Sequence, residues 1–425
     1  MPTINPSRFH SDFQSLAQIG ATPEGGVHRP TFSAAHLQAR LWLTDRIRES
    51  GLELRIDDAG NHSAYLECAG PGAPVLLLGS HLDSVPYGGR FDGALGVLAA
   101  LEALRVVAES GLRLNANLEA IDFTDEEGTL FGLLGSSALA GHLRPEDLIN
   151  PRGGRQALLD GLAAAGLTEQ GLLQARRDPS TLAGYLELHI EQGPRLVQAR
   201  AQIGVVTGIV GIGSYRLAFT GRADHAGTTP MENRLDAAQG AASFILAARR
   251  LVVGGDSHSR FSGCMVNTGD LRLEPGAFNI VPARAVLALE FRSADAGQMA
   301  QLEATLLEQA RLAADEFGLG LQVERLGLHP PAFMDHRMQE SILRAAAGLG
   351  LTHLRLSSGA GHDAQSLAPL CPSGMIFVPS VDGASHSPRE FTEWQDCLNG
   401  ANLLLKAAVD FGSRRVKSPD WGIEE

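Results

Sequence analysis

The sequence holds only two lysines and four cysteines in 425 residues, and it lacks long apolar runs. Both lysines, Lys406 and Lys417, stand near the C-terminus, and no GxxxxGK[ST] loop occurs, which argues against a lysine Schiff base or a P-loop. The cysteines show no CxxC or zinc-finger spacing, as expected of thiols in a reducing compartment. No run reaches the roughly 18 residues of a membrane span, and the N-terminus lacks a signal-peptide pattern. We therefore expect a cytoplasmic protein.

Acidic residues outnumber basic ones by 48 to 35, which gives a formal net charge of −13. This balance argues against nucleic acid or an anionic membrane as the main partner and favours a small substrate. Hydrophobic residues make up 44% and charged residues 20%, which is typical of globular proteins. The length suggests two or three domains.

Four short apolar runs end next to polar residues, as strands buried in a parallel sheet do. They lie at 74–78, 117–123, 184–188 and 374–378, and they lead to His81, to the acidic residues 125–127, to His189 and toward His386. A helix predicted over 94–110 makes the first two runs a right-handed crossover. Ligands bind beyond the carboxyl ends of such strands, so we expect the four polar clusters to converge.

Between residues 211 and 325 the pattern changes to strand, helix, strand, strand, helix, strand, the order of a ferredoxin-like domain. The segments that carry it are 214–220, 235–252, 264–273, 285–292, 297–317 and 320–325. Because strands of the first kind resume afterwards, we interpret this block as an insertion. The predicted organisation is a catalytic, metal-binding domain in two parts, 1–210 and 326–425, with 211–325 inserted.

The first polar cluster contains residue types that bind metals. His81 and Asp92 suit zinc, and a carboxylate can bridge two cations. Asp83, two residues after His81, is placed to accept the second N–H of the His81 ring and fix its tautomer. Taken alone, this His-x-Asp pattern is more typical of a polar loop.

The second cluster places Glu126 and Glu127 directly after a buried strand. Neighbouring side chains point apart in extended backbone, so one carboxylate can bind a metal while the other acts as a general base. The alternative is a solvated acidic turn. His189 and His386, each taken singly, are more typical of structural histidines.

Together, these clusters contain enough ligands for two divalent cations. The ligands would be His81, Asp92, Glu127, His189 and His386. Each cation has three protein ligands if Asp92 bridges, with room for a water molecule. The two cations carry more positive charge than Asp92, Glu127 and a hydroxide remove, so such a site would attract anionic substrates.

Two further segments lie in the inserted block. His225 stands among small residues, and Asn279 precedes a strand that ends in Arg292. Arg292 is able to bind a substrate carboxylate in a bidentate pair, although spacing alone favours a surface salt bridge. The GxGxxA pattern at 359–364 is a weak signal for a dinucleotide, and the absence of GxSxG disfavours an α/β-hydrolase serine.

Several long motifs occur in one order along the chain. They are HLDSVPYGGRFDG, DFTDEEG, ELHIEQGP, GRADHAGTTP, FNIVP, SGAGHDAQ and GMIFVPSVDGASHSP. The sequence thereby resembles, over nearly its whole length, the zinc-dependent hydantoinase/carbamoylase group of dinuclear amidohydrolases related to aminoacylase and carboxypeptidases. The resemblance implies an α/β fold: an aminopeptidase-like mixed sheet flanked by helices, with an inserted ferredoxin-like α+β domain that acts as lid and dimerisation domain.

The resemblance also implies roles for single residues. One metal would be held by His81, Asp92 and His189, and the other by Asp92, Glu127 and His386. Glu126 would be the catalytic base, and Asp83 would orient His81. The residues implied in substrate contact are Gln192, His225, Asn279, Arg292 and Gly361, with His362 beside them. Relatives form homodimers through the inserted domain, so His225 and Asn279 are able to act in the neighbouring subunit. Zinc is the expected metal, with manganese, cobalt or nickel as alternatives.

The implied reaction is hydrolysis of an N-carbamoyl-L-amino acid to the amino acid, ammonia and carbon dioxide. In it, Glu126 takes a proton from water and passes it to the leaving nitrogen, His225 stabilises the oxyanion, and Arg292 holds the carboxylate. Allantoate or a β-ureido acid fits the same site, and an acyl-amino acid or dipeptide is a second hypothesis. A catalytically silent metal-stabilised dimer ranks last, because Glu126 is present. One departure concerns substrate identity: the run from Glu127 to Ser136 is shorter than in the family and lacks the arginine that often follows the Glu-Glu-Gly turn.

Overall fold

The computed structural model describes residues 2–253 and 260–414, and these residues form two compact units. The first unit combines the segments up to Thr207 and from Phe333 onward, and the second spans Gly208–Ala332. The second unit extends past residue 325, where the sequence pattern places its end, because its last strand continues to His329. Lys417 lies outside the described residues.

The first unit is built on a mixed β-sheet. The strands of the described chain, in order, are β1 Glu53–Ile56, β2 His62–Leu66, β3 Val75–His81, β4 Asn117–Phe123, β5 Leu182–Ile190, β6 Ile203–Ile209, β7 Gly211–Thr220, β8 Met265–Glu274, β9 Arg284–Ser293, β10 Gly320–His329, β11 Ala332–Phe333, β12 His353–Ser358 and β13 Ser373–Val378. The order in this sheet is β1-β2-β4-β3-β5-β13-β6-β11, with β12 paired to β6. A mixed sheet flanked by helices confirms the expected α/β fold.

The centre of this sheet is parallel. Strand β3 pairs in parallel with β4 and β5, and β13 pairs in parallel with β5. Every residue of these four strands is buried, which explains their continuous apolar runs. Because parallel strands end at the same edge of a sheet, the polar residues that follow them come together, as the sequence predicts.

Helices flank the sheets of the two units. They are α1 Pro6–Ala17, α2 Ala34–Glu49, α3 Ala94–Ser110, α4 Leu134–Ala140, α5 Arg155–Ala165, α6 Glu169–Gln174, α7 Arg195–Ala199, α8 Ala237–Val252, α9 Ala296–Glu316, α10 His336–Leu349, α11 Asp363–Leu367 and α12 Trp394–Gly412. Helix α3 matches the predicted range and ends at Gly111, whose φ of 62° favours glycine. One core cluster joins α1, α3, α10 and α12 to the sheet. None of the described helices has the length and apolar character needed to span a bilayer.

The second unit has the predicted order of strands and helices. Its four-stranded sheet is antiparallel, in the order β10-β7-β9-β8. Helices α8 and α9 pack on the sheet through residues such as Phe244, Leu302 and Leu306, which join Leu217 and Leu287 in one core. This arrangement is the ferredoxin-like α+β fold expected for the insertion.

A buried ion pair ties helix α2 to the ends of two central strands. The Arg40 Nε lies 3.0 Å from Asp122 Oδ2, and its Nη2 donates to Thr124 Oγ1 at 2.9 Å. Asp122 Oδ1 accepts the Leu82 N–H at 2.8 Å. Burial raises the pKa of Asp122 to about 6, although the Arg40 charge opposes this rise. Arg40 thus keeps a buried carboxylate ionised beneath the polar edge.

We expect Arg40→Ala to lower the free energy of unfolding by about 3–5 kcal/mol, because it leaves a buried charge without its partner. Arg48→Ala on the same helix is the control, since the side chains of Arg48 and its partner Asp45 are 66% and 65% exposed. Its loss should change stability by at most about 1 kcal/mol. Urea denaturation followed by circular dichroism measures both values. Equal effects of the two substitutions would contradict this assignment.

Candidate metal centre

The parallel strand ends bring five histidine and carboxylate side chains together. His81 is the last residue of β3, His189 lies near the end of β5, and Glu127 follows β4. Asp92 precedes helix α3, and His386 follows β13 in the chain. These are the five residues that the sequence suggests as metal ligands, although 305 positions (386 − 81) separate the first from the last.

The five side chains form two groups that share Asp92. His81, Asp92 and His189 form one group, and Asp92, Glu127 and His386 form the other, with the ligand atoms of each within 4.8 Å of one another. Asp92 Oδ1 lies 3.0 Å from His189 Nε2 and 3.5 Å from His81 Nε2. Its Oδ2 lies 3.5 Å from His386 Nε2, which is 3.3 Å from Glu127 Oε2. Each oxygen of Asp92 therefore faces a different group.

Backbone carbonyls fix the orientation of the two buried rings. His81 Nδ1 lies 3.0 Å from the carbonyl oxygen of Asp83, and His189 Nδ1 lies 2.9 Å from that of Ile190. A carbonyl only accepts, so each Nδ1 carries a hydrogen, and each Nε2 directs toward Asp92 the lone pair with which it would bind a cation or a proton. Lone pairs facing a carboxylate oxygen at 3.0 to 3.5 Å require positive charge between them. A divalent cation supplies that charge to both rings at once, so the donor set fits a metal.

The carboxylates of the acidic turn also fit bound cations. Desolvation raises the pKa of Glu126 well above its usual range, and the His81 charge only partly opposes this. Desolvation and the Asp92 carboxylate raise the pKa of Glu127 in the same way. Several carboxylates crowded in a buried site stay ionised only beside positive charge.

Asp83 differs from the sequence-based expectation in its contacts. Its backbone carbonyl, rather than its carboxylate, is the nearer acceptor for the His81 ring, since Oδ1 lies 3.6 Å from Nδ1. The carboxylate instead accepts the N–H groups of Glu126 and Glu127, each at 3.2 Å, and the Thr31 hydroxyl at 2.9 Å. The expected hydrogen bond is replaced because the acidic turn offers two unpaired N–H donors. Asp83 thus contacts both the His81 ring and the acidic turn.

The acidic turn is closed by its own first residue. Asp125 has a left-handed backbone with φ of 55°, and it is buried. Its carboxylate accepts the backbone N–H groups of Leu130, Phe131 and Gly132, at distances from 2.6 to 3.3 Å. These bonds explain how a short segment between Glu127 and Ser136 folds back and still presents Glu126 and Glu127 to the centre.

Gln192 lies beside the shared carboxylate. Its Nε2 donates to Asp92 Oδ2 at 2.8 Å and lies 3.3 Å from the hydroxyl of Ser385. Its Oε1 is buried and accepts no hydrogen bond from the residues that the structure describes. Gln192 and His386 both have left-handed backbones, with φ of 56° and 52°. The amide thus offers an acceptor next to the candidate metals.

His362 packs against the candidate ligand His189, with ring centroids 4.6 Å apart. Its Nε2 is 2.9 Å from the Ser358 hydroxyl. Burial lowers the pKa of His362 well below its usual range, and the charge of His189 adds to this, so the ring is neutral. Gly361 precedes it, between β12 and the five-residue helix α11. The GxGxxA pattern at 359–364 therefore lies beside the candidate centre.

His225, Asn279 and Arg292 belong to the second unit. His225 Nδ1 accepts the N–H groups of Gly227 and Thr228 at 3.0 and 3.2 Å, so its exposed ring carries the hydrogen on Nε2. The Ala226 N–H donates to the Asn279 carbonyl at 3.0 Å, which joins the two loops. Arg292 Nη2 lies 2.8 Å from Glu290 Oε1, so the salt bridge that spacing alone favours is present.

Sequence reasoning missed several residues that contact this centre. Thr31 binds Asp83, and Ser385 and Glu390 contact Asp92. Ser385 and Glu390 flank His386, and that proximity is a signal the sequence does contain. Thr31 gives no such signal, because a lone threonine early in the chain has no pattern of its own.

Comparison with known proteins gives a consistent result. The model of "Peptidase family M20/M25/M40" matches residues 77–410. An "N-carbamoyl-L-amino acid amidohydrolase" from Geobacillus stearothermophilus is 39% identical, covering 94% of this chain and 97% of that protein. A "Ureidoglycolate hydrolase" from Arabidopsis thaliana is 31% identical, covering 95% of this chain and 86% of that protein. The crystal structure of an "Amidase, hydantoinase/carbamoylase family" from Burkholderia multivorans superposes with a TM-score of 0.83 at 31% identity, covering 97% and 99% of the two chains.

We expect metal-free protein to take up two divalent ions per chain, and His189→Ala and His386→Ala to take up one each, because each removes a ligand from a different group. Equilibrium dialysis against Zn²⁺ followed by mass spectrometry of the metal measures this. The control is His336→Ala, whose side chain is 80% exposed and outside both groups. Two ions in either single variant would contradict the assignment of ligands.

Proposed function

Since the chain belongs to peptidase family M20/M25/M40 and to its hydantoinase/carbamoylase group, we propose that it is an amidohydrolase that cleaves N-carbamoyl-L-amino acids. The products are the amino acid, ammonia and carbon dioxide. The observation that carries this proposal is the pair of ligand groups sharing Asp92, with Glu126 next to them. The name of the relative that is 39% identical supports the substrate class.

Glu126 is the group that we assign to proton transfer. Its Oε2 lies 3.5 Å from His81 Nε2, and the side chain is 9% exposed. Glu126 belongs to neither ligand group among the described residues. Its carboxylate therefore remains available to take a proton from the attacking water and deliver it to the leaving nitrogen. Metal ions held by the two ligand groups would supply a Lewis acid able to polarise the ureido carbonyl and to lower the pKa of water. The Asp83 carboxylate accepts the backbone N–H groups of Glu126 and Glu127, and these hydrogen bonds keep Glu126 oriented for this transfer.

Gln192 supports a ureido group as the part of the substrate that is recognised. Its Nε2 is anchored to Asp92, which leaves the buried Oε1 as an acceptor. A carbamoyl group carries an NH₂ that can donate to this oxygen, whereas an acetyl group carries a methyl that cannot. A site built around a hydrogen bond discriminates strongly against an analogue that lacks the donor.

The second unit supplies the remaining groups in this proposal. The neutral His225 ring, with its hydrogen on Nε2, is suited to donate to the oxyanion that forms during hydrolysis. Arg292 exchanges its partner Glu290 for the substrate carboxylate, and Asn279 contacts the substrate from the loop beside His225. Gly361 and His362 contact the substrate from the first unit. We propose a homodimer formed through the second unit, in which His225 and Asn279 serve the partner subunit.

Zinc is the metal that we propose, because imidazole and carboxylate ligands suit it. The same ligands accept manganese, cobalt and nickel, so metal supply also affects occupancy. The four cysteines are free and buried in the structure, which supports our proposal of a cytoplasmic location.

A second candidate is supported by the relatives named ureidoglycolate hydrolase. Ureidoglycolate, allantoate and β-ureido acids also pair a ureido group with a carboxylate, so the same residues would hold them. Acyl-amino acids and dipeptides lack the ureido NH₂ that Gln192 would bind.

We expect Glu126→Gln to lower kcat by about 10²- to 10⁴-fold, the usual contribution of general acid–base catalysis, and to retain two metal ions. Ammonia release from a carbamoyl amino acid and metal analysis measure the two properties. Glu24→Gln, on an exposed turn, is the matched control and should keep full activity. Equal rates in Glu126→Gln and the unmodified protein would contradict this role, and rates no higher than the uncatalysed reaction in both would favour the catalytically silent hypothesis.

We expect Gln192→Leu to lower kcat/KM for a carbamoyl-L-amino acid about 5- to 150-fold more than for the acetyl derivative of the same amino acid. The reason is the loss of about 1–3 kcal/mol when the ureido NH₂ is left without an acceptor. Because both substrates suffer equally from the lost bond to Asp92, the ratio isolates the ureido contact.

An assay panel of carbamoyl-L-amino acids, carbamoyl-β-alanine, allantoate and ureidoglycolate then identifies the substrate. Cleavage restricted to dipeptides would overturn the proposed substrate class.

A further inference from the structure

Glu390 connects the two chain segments that carry Asp92 and His386. Its side chain is buried, and its Oε1 accepts the N–H groups of Phe91 and Asp92 at 2.9 and 3.0 Å. Its Oε2 lies 3.0 Å from the hydroxyl of Ser385, the residue before His386. One carboxylate thus binds the backbone of the shared ligand and the neighbour of another ligand 294 positions away (386 − 92).

Ser385 extends this connection to the carboxylate of Asp92. Its hydroxyl oxygen lies 3.1 Å from Asp92 Oδ2, the oxygen that faces the group containing Glu127 and His386. Glu390 therefore reaches Asp92 by two routes, directly at the backbone and through the Ser385 hydroxyl, whose one hydrogen the two carboxylates share. The first contact fixes the Asp92 backbone, and the second restrains the rotation that would turn Oδ2 away from this group.

The chain makes specific room for the Glu390 carboxyl group. A Cβ atom placed on Gly89 would lie 1.9 Å from Glu390 Cδ and within 2.3 Å of both of its oxygens. Gly89 does not have the positive φ that would itself require glycine. Its lack of a side chain is therefore explained by the position of Glu390.

We propose that Glu390 is a positioning residue that holds Asp92 so that its two oxygens serve two different metal ions. It is not among the groups of ligand atoms in the described residues. Its removal should affect chiefly the ion held by Asp92, Glu127 and His386, because Ser385 binds the oxygen on that side. This inference rests on the proposed function, since it assumes that the centre binds two ions.

The test measures Zn²⁺ binding to metal-free protein by competition with a chromophoric chelator. We expect Glu390→Ala to weaken the binding of one ion, the ion that His386→Ala no longer takes up, about 10- to 100-fold, the usual effect of losing a residue that orients a ligand. Glu390→Gln should remain within about threefold of the unmodified protein. Its amide oxygen is able to accept both N–H groups, and its NH₂ is able to donate to Ser385.

Gly89→Ala tests the same position without removing the carboxylate. The added methyl group must displace the Glu390 carboxyl group, so we expect weakening similar to that of Glu390→Ala. The matched control is Glu119→Ala, which removes a buried carboxylate bonded to Ser63 and Arg177 and outside both ligand groups. It should lower the unfolding temperature and leave both Zn²⁺ affinities unchanged.

Unchanged affinity for both ions in Glu390→Ala would overturn this inference, as would equal weakening in Glu119→Ala. The same measurement separates it from the proposed function. If the unmodified protein binds two ions and hydrolyses no ureido acid, the proposed function fails, while a selective loss in Glu390→Ala still supports the positioning role.

Discussion

The arrangement of the centre depends on one carboxylate that presents its two oxygens to two sets of ligands. Asp92 faces two buried histidines with Oδ1 and a histidine and a glutamate with Oδ2. Such a geometry is unfavourable in a buried site unless cations are present, because lone pairs and carboxylates otherwise face one another. The parallel strands supply the remaining ligands because their ends lie at one edge. The fold therefore brings both sets of candidate ligands to one edge of the sheet, and Asp92 is the side chain that the two sets share.

Much of the fold could be predicted because its signals are local. The strand over Asn117–Phe123 and the helix over Ala94–Ser110 match their predicted ranges, since continuous apolar runs and a terminal glycine mark them clearly. Strand β5 is longer than its apolar run and includes His189, because a polar ligand interrupts the pattern while remaining in the ladder. The short edge strand β1, its neighbour β2 and the helices α4 to α6 are not predicted from the sequence. Their pairing depends on tertiary contacts, such as the cluster around Leu134 and Leu158.

The candidate ligands could be named from the sequence because each is a polar residue next to a strong strand or turn signal. The contacts that position them could not be predicted. The Asp83 carboxylate binds the backbone of residues more than 40 positions away, and Glu390 binds that of residues about 300 away. A backbone N–H carries no mark in the sequence, so no pattern reveals which carboxylate will bind it. Contacts of this kind are visible only once the chain has folded.

Three residues around the centre, Asp125, Gln192 and His386, hold left-handed backbone conformations that side chains other than glycine and asparagine adopt reluctantly. Each such conformation costs about 1–3 kcal/mol, and the surrounding hydrogen bonds must offset it. Directed evolution for heat tolerance alone would therefore find gains at Gln192 and His386, with glycine or asparagine as the selected replacements, whereas Asp125 is held by the three N–H groups that its carboxylate accepts. A library of variants selected only for heat tolerance would therefore lose catalytic activity.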